Sequence, residues 1–261
     1  MIDSARSAVT SRRALLSGLA VVPLALSAAA APSEELRVDA DGGPVVLTRD
    51  AAASAGKRPA IIVLHGARGV ELKPRAYARY AVALSAIGID VYLARYLTQA
   101  DQDALDPKTS TSDSREAYET ERFEDWTKRI SAVVTAIVAR ADSSGGVGLL
   151  GFSLGSFIAA DVAAHDDRVT ALVAMYGGMP DAMVTQVKHM PPLLELHGDA
   201  DRNVPLAKGT ELVRLAKALG APAEQIVYPG RTYGFDFADD DPMTADEIGR
   251  VVRFFQARLL A

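Results

Sequence analysis

From about residue 36 onward, short apolar runs alternate with amphipathic stretches. Ala60–Leu64, Ile89–Leu93, Val169–Tyr176 and Leu193–Leu196 carry apolar residues on both faces, the pattern of strands covered on each side. Val147–Leu150 and Ile226–Tyr228 read as two further strands. Leu36–Val38 and Val45–Leu47 read as short edge strands around the turn residues Asp41-Gly42-Gly43. Between these runs the pattern predicts helices over Arg75–Ile87, Glu116–Arg140, Leu154–Ala164, Leu206–Leu219 and Thr244–Leu260. In the long one, Trp126, Ile130, Val133, Val134 and Ile137 recur at spacings of three and four, which is core packing. The polar stretch Thr98–Ser114 is expected to be a solvated loop.

Strands alternating with helices imply α/β architecture: a mostly parallel central sheet with helices on both faces. Such a sheet carries its chemistry on the loops at the carboxyl ends of its strands. No repeat or linker divides residues 31–261, so a single domain is expected there.

The first 30 residues break the pattern. Arg12-Arg13 precedes an apolar run from Ala14 to Leu26, and Ala28-Ala29-Ala30 follows. A charged start, a short apolar core and an Ala-x-Ala end form a secretory signal peptide, and the paired arginines resemble a twin-arginine export signal. Residues 1–30 are therefore expected to be removed, placing the protein in the periplasm or outside the cell. A membrane anchor is the competing reading, but Ser17, Gly18 and Pro23 interrupt the run, which falls short of the ~20 apolar residues of a span. No stable membrane insertion is expected after signal removal.

Composition narrows the chemistry. The 261 residues are 49% hydrophobic and carry a net charge of -5, so a large core is available and a nucleic-acid partner is not expected. The absence of cysteine excludes disulfides, thiolate metal sites and a catalytic thiol. The four histidines show no metal-ligand spacing, so neither metal nor cofactor is expected.

One motif carries chemistry. Gly151-Phe152-Ser153-Leu154-Gly155 lies between a predicted strand and a predicted helix, as in the Gly-x-Ser-x-Gly nucleophile elbow. The turn lifts the serine hydroxyl above the sheet edge, and the helix N-terminus behind it favours developing negative charge. The acid should follow on a later strand end. Leu193–Leu196 empties into His197-Gly198-Asp199-Ala200-Asp201, where Asp201 is the candidate acid and Asp199 is expected to cap the turn. Both aspartates serving only as turn residues stays open.

These segments, with Val63-Leu64-His65-Gly66 before them and Tyr228-Pro229-Gly230 and Gly234-Phe235 after them, resemble the dienelactone hydrolase family of α/β-hydrolases over nearly all of residues 36–261. The resemblance implies the α/β-hydrolase fold and hydrolysis of carboxylic ester or lactone bonds in a small-molecule substrate. It also implies an oxyanion hole from the backbone N–H groups of Ala67 and Leu154. Two departures stand out. Dienelactone hydrolases proper carry a cysteine nucleophile where this chain has Ser153, although many esterase relatives have serine. The catalytic histidine that the family places just before the Gly-Phe pair is Tyr233 here.

Serine needs a base to become a nucleophile. At pH 7 only about one phenol in a thousand is ionised, and a nearby Asp201 makes the phenolate rarer still. Tyr233 is thus expected to donate a hydrogen bond to Asp201 rather than act as a base. No histidine follows Asp201; of His65, His165, His189 and His197, each expected to be structural, His197 lies nearest the acid loop and is the first substitute to consider. Arg68, Arg95 and Arg231 are candidates to bind a carboxylate-bearing substrate. The sequence therefore points to an exported serine hydrolase with Ser153 as nucleophile, Asp201 as acid and an impaired base position. A non-catalytic ligand-binding protein on the same scaffold is the alternative.

Overall fold

The computed structural model describes residues 33–238 and 241–261; the predicted signal segment lies outside the described residues. An eight-stranded sheet runs through the centre in the order β1-β2-β4-β3-β5-β6-β7-β8. β1 (Glu34–Val38) and β2 (Val45–Asp50) form an antiparallel edge. β3 (Arg58–Leu64), β4 (Asp90–Arg95), β5 (Ser143–Phe152), β6 (Val169–Met175), β7 (Leu193–Gly198) and β8 (Ala223–Tyr228) pair in parallel.

The apolar runs are explained by the layers on either side. Within β3, Ala60, Ile62 and Leu64 join a core with Trp126, Ile130 and Val133 of α3 (Ser112–Val138), Ile158 of α4 (Leu154–His165) and Leu212 of α5 (Leu206–Ala218). Ile61 and Val63 point the other way, into a core with Tyr77, Tyr80 and Leu84 of α1 (Pro74–Ser85) and Val251 and Phe255 of α6 (Pro242–Leu259). A strand with period-two alternation and two buried faces must be apolar throughout.

The chain leaves β3 for β4 on one side and later takes β5 on the other. Such a reversal opens a crevice at the carboxyl ends of the diverging strands. His65-Gly66-Ala67 leaves β3 there, and Ser153 leaves β5.

The stretch expected to be a loop proves helical. α2 spans Gln99–Leu105, and a capping box closes its start: Asp101 N–H donates to Thr98 Oγ1, and Thr98 N–H donates to Asp101 Oδ2. Asp101 is fully buried and gathers Tyr118, Arg122 and Arg129 of α3. Its charge reads as solvated in sequence because its partners lie 17 to 28 residues away. A second capping box, Thr111 with Ser114, starts α3 four residues earlier than the apolar spacing predicts.

Candidate active site

Ser153 adopts φ 52°, ψ −120°, a conformation that side chains rarely occupy and that costs about 1–3 kcal/mol. Its surroundings enforce it. Ser153 N–H donates to Met175 O of β6, and Ser153 O accepts from Ser156 N–H and Phe157 N–H at the start of α4. The flanking glycines are steric necessities: a Cβ at Gly151 would lie 2.4 Å from Gly155 O, and one at Gly155 would lie 2.3 Å from Leu64 O. The strand–turn–helix packing therefore presents the Ser153 hydroxyl at the crevice.

The segment after β3 passes beside it. A Cβ at Gly66 would stand 3.5 Å from Ser153 Cβ and 3.7 Å from Tyr233 Oη, so three chain segments converge on one spot. His65 is buried, stacks on Tyr96 with ring centroids 4.4 Å apart, and engages Gly66 O through Nδ1 at 2.7 Å. Burial pushes its pKa down to about 4, so it is neutral and structural.

Tyr233 reaches the serine, not the acid. Its hydroxyl lies beside the Ser153 side chain, while Asp201 Oδ2 accepts no hydrogen bond, which corrects the expected bond to Asp201. Burial raises the phenol pKa, the Ser153 bond lowers it, and the Asp201 and Asp236 charges raise it further; the net effect is upward. With its pKa held above that of a free phenol, Tyr233 keeps its own proton and is a poor acceptor of the serine proton.

The ring of Tyr233 is held from behind by Tyr176, 5.1 Å away at 62°. Tyr176 follows β6 with φ 39°, is fully buried, and donates to Asp236 Oδ1 at 2.9 Å. Phe235 closes the packing against Tyr228 at 5.0 Å. Beneath lie two buried carboxyl groups that the sequence reading missed. Asp236 is pushed up to about 7 by burial, and Glu247 of α6 to about 9 by burial and the neighbouring Asp236.

The side chain of Asp201 is 1% exposed. Its Oδ1 accepts from Asn203 N–H at 2.8 Å and Val204 N–H at 3.0 Å, while Oδ2 accepts no hydrogen bond. Asp199 ties the acid loop to the Tyr233 loop, accepting from Gly230 N–H at 2.6 Å.

His197 is not positioned to take the serine proton. It is fully buried, with Nδ1 2.7 Å from Glu195 Oε1 and Nε2 2.9 Å from Val204 O. Both ring nitrogens are already engaged. His165 contacts Asp161 O and His189 lies near Asp167, both away from the crevice. Among the described residues no group of three His, Asp or Glu side chains could hold a metal.

The three arginines separate. Arg95 is committed to Thr48 at 2.7 Å and Glu71 at 3.3 Å, and Arg231 to Asp241 at 2.6 Å. Arg68 is exposed and lines a cavity of about 220 Å³ with Ala67, Gln99, Gln102, Leu105 and Lys108 and the acidic Asp103 and Asp106. α2, invisible in the sequence reading, forms one wall of that cavity.

Comparison with known proteins bears on the family and the fold. Residues 45–258 match the Dienelactone hydrolase family. Among solved structures, a dienelactone hydrolase from Anabaena variabilis superposes with a TM-score of 0.69 at 18% identity, covering 87% of this chain and 98% of its own. An esterase from Pyrobaculum calidifontis gives 0.64 at 16% identity, covering 87% and 85%. An esterase from the planctomycete Thermogutta terrifontis gives 0.65 at 14% identity, covering 86% and 91%. No curated protein matches the sequence.

Proposed function

The chain belongs to the dienelactone hydrolase family, and from that premise we propose that it is an exported serine hydrolase of carboxylic ester or lactone bonds whose turnover is limited by Tyr233. The observation that carries this reading is the contact between the Tyr233 phenol and a nucleophile elbow that is otherwise fully formed.

In this reading Ser153 Oγ attacks the substrate carbonyl, and the N–H groups of Ala67 and Leu154 receive the oxyanion. The cavity beside Ala67, whose lining carries Arg68 and Lys108 together with Asp103 and Asp106, takes the polar part of the substrate. Asp201 supplies negative charge near the site. With no histidine to receive it, the serine proton passes to solvent water; the ester C–O bond then breaks, the leaving alkoxide takes a proton from water, and a further water hydrolyses the acyl-serine. Rate therefore comes from binding and the oxyanion hole, which alone sustain about 10³–10⁴ over water in a serine hydrolase stripped of its triad. Export rests on the Arg12-Arg13 segment and its Ala-x-Ala end.

A non-catalytic binding role draws on the same contact, because a serine whose neighbour is a protonated phenol rather than a base is poised to hold a ligand rather than attack it. Hydrolysis of a small activated ester by the mature protein, beside Ser153→Ala, separates the two. Slow turnover that vanishes in Ser153→Ala supports the hydrolase. Turnover indistinguishable from the Ser153→Ala background supports the binding role. N-terminal sequencing of protein recovered from the periplasm or medium tests export; an intact Met1 would refute it.

A further inference from the structure

His197 sits where its surroundings dictate its charge. Nδ1 faces Glu195 Oε1 at 2.7 Å, and Nε2 faces Val204 O at 2.9 Å and Asp201 Oδ2 at 3.6 Å. Every one of these atoms is an acceptor in its ionised or carbonyl form. A neutral imidazole has one donor nitrogen and one acceptor nitrogen, so either tautomer would turn a lone pair toward an oxygen.

Glu195 is itself fully buried in β7, and its Oε2 accepts from Gln225 Nε2 at 2.9 Å. The fold makes room for this carboxylate: a Cβ on Gly209 of α5 would lie 2.2 Å from Glu195 Oε1. Asp201 has a buried Oδ2 with no hydrogen bond, and Tyr233 leaves it without the imidazole that a triad acid normally holds.

We infer that His197 is a buried imidazolium that bridges Glu195 and Val204 and serves as the counter-ion and positioning residue of Asp201. The assignment of Asp201 as the acid of the site rests on the proposed hydrolase reading; the charge state of His197 does not. Burial alone would push this imidazole down, but Glu195, Val204 O and Asp201 together hold it above its ordinary value. A cation in contact with two carboxylates keeps the negative charge of Asp201 tolerable in a site that water does not reach.

The competing arrangement places the proton on Glu195, which burial also favours, and leaves His197 neutral. Long-range ¹H–¹⁵N spectra of the full mature chain distinguish them. Both His197 nitrogens should appear protonated from pH 6 to 8, and in Asp201→Asn, which preserves the shape and the Oδ1 acceptor, the proton affinity of His197 should fall at least tenfold. A lone-pair nitrogen signal in the wild type at pH 7 overturns the imidazolium. An Asp201→Asn variant in which His197 titrates unchanged overturns the counter-ion role. Neither readout depends on turnover, so absence of ester hydrolysis would count against the hydrolase reading alone.

Discussion

The nucleophile elbow and the loop carrying Tyr233 meet at the same atoms but are specified in different ways. At the elbow, Gly151 and Gly155 are fixed by backbone atoms 2.4 Å and 2.3 Å from where a Cβ would go. Its geometry is inseparable from the packing of β5, α4 and β3. The Tyr233 loop is held by neighbours that are indifferent to the chemistry of the ring: Tyr176 against one face, and Phe235 and the Asp199–Gly230 bond further along. A change at the elbow disturbs the fold, whereas a change at position 233 alters reactivity and little else. Machinery that doubles as core resists drift, and machinery borne by a loop side chain does not.

This contrast can be broken experimentally. The largest effect should come from Tyr233→His, which places an acceptor next to Ser153 with Asp201 behind it. Hydrolysis of an activated ester should rise about 10²–10⁴-fold, and the gain should disappear when Ser153→Ala is added. A variant that folds but gains nothing would show that the loop does not aim its side chain as a base.

Next is Gly155→Ala, whose methyl must displace the backbone of Leu64 and His65. It should cost about 3 kcal/mol or more in chemical denaturation. A loss under about 1 kcal/mol would show that the elbow is not bound to the core as described.

A smaller effect concerns pH. Asp236 and Glu247 have folded pKa values of about 7 and about 9, above those of an unfolded chain near 4. The folded state therefore holds protons that the unfolded state has released. The stability they contribute is complete below pH 4 and is lost as pH rises toward 9. His197, raised by its acceptors, acts in the same direction. The melting temperature should drop by at least about 5 °C between pH 5 and 9, and Glu247→Gln should flatten the slope. A stability that rises over that interval would contradict the buried, protonated carboxyls.

Smallest of all should be Tyr233→Phe. It removes the phenol hydroxyl and its polar contact with Ser153, for a stability change of about 1 kcal/mol. Residual hydrolysis should change by less than about tenfold. A collapse of activity would give the phenol a part in the reaction beyond the contact with Ser153.

How much of this was legible in sequence follows the range of the interactions. The sheet, its two apolar faces and the elbow were readable because their signals lie within a few residues: the run Ala60–Leu64, the spacing of Trp126 to Ile137, the motif around Ser153. α2 was missed although the Thr98-x-x-Asp101 capping box is local, because its charges resemble a solvated loop until Arg129 is brought to Asp101. Glu195 was passed over as one polar letter in an apolar strand. A lone carboxylate in a strand buried on both faces was itself the signal, since it must find a partner. That partner, His197, lies on the same side of β7 two residues on. The contact of Tyr233 with Ser153 could not be read from spacing at all, as 80 residues of chain separate them.

The standard codons for tyrosine and histidine differ only in their first letter. Because the rings of Tyr176 and Phe235 hold the loop without reference to its chemistry, the present protein stands a single nucleotide change away from one bearing an imidazole over its serine. Such a position makes loss and recovery of the base a matter of mutation supply, and it makes this scaffold a short walk for laboratory selection on an ester.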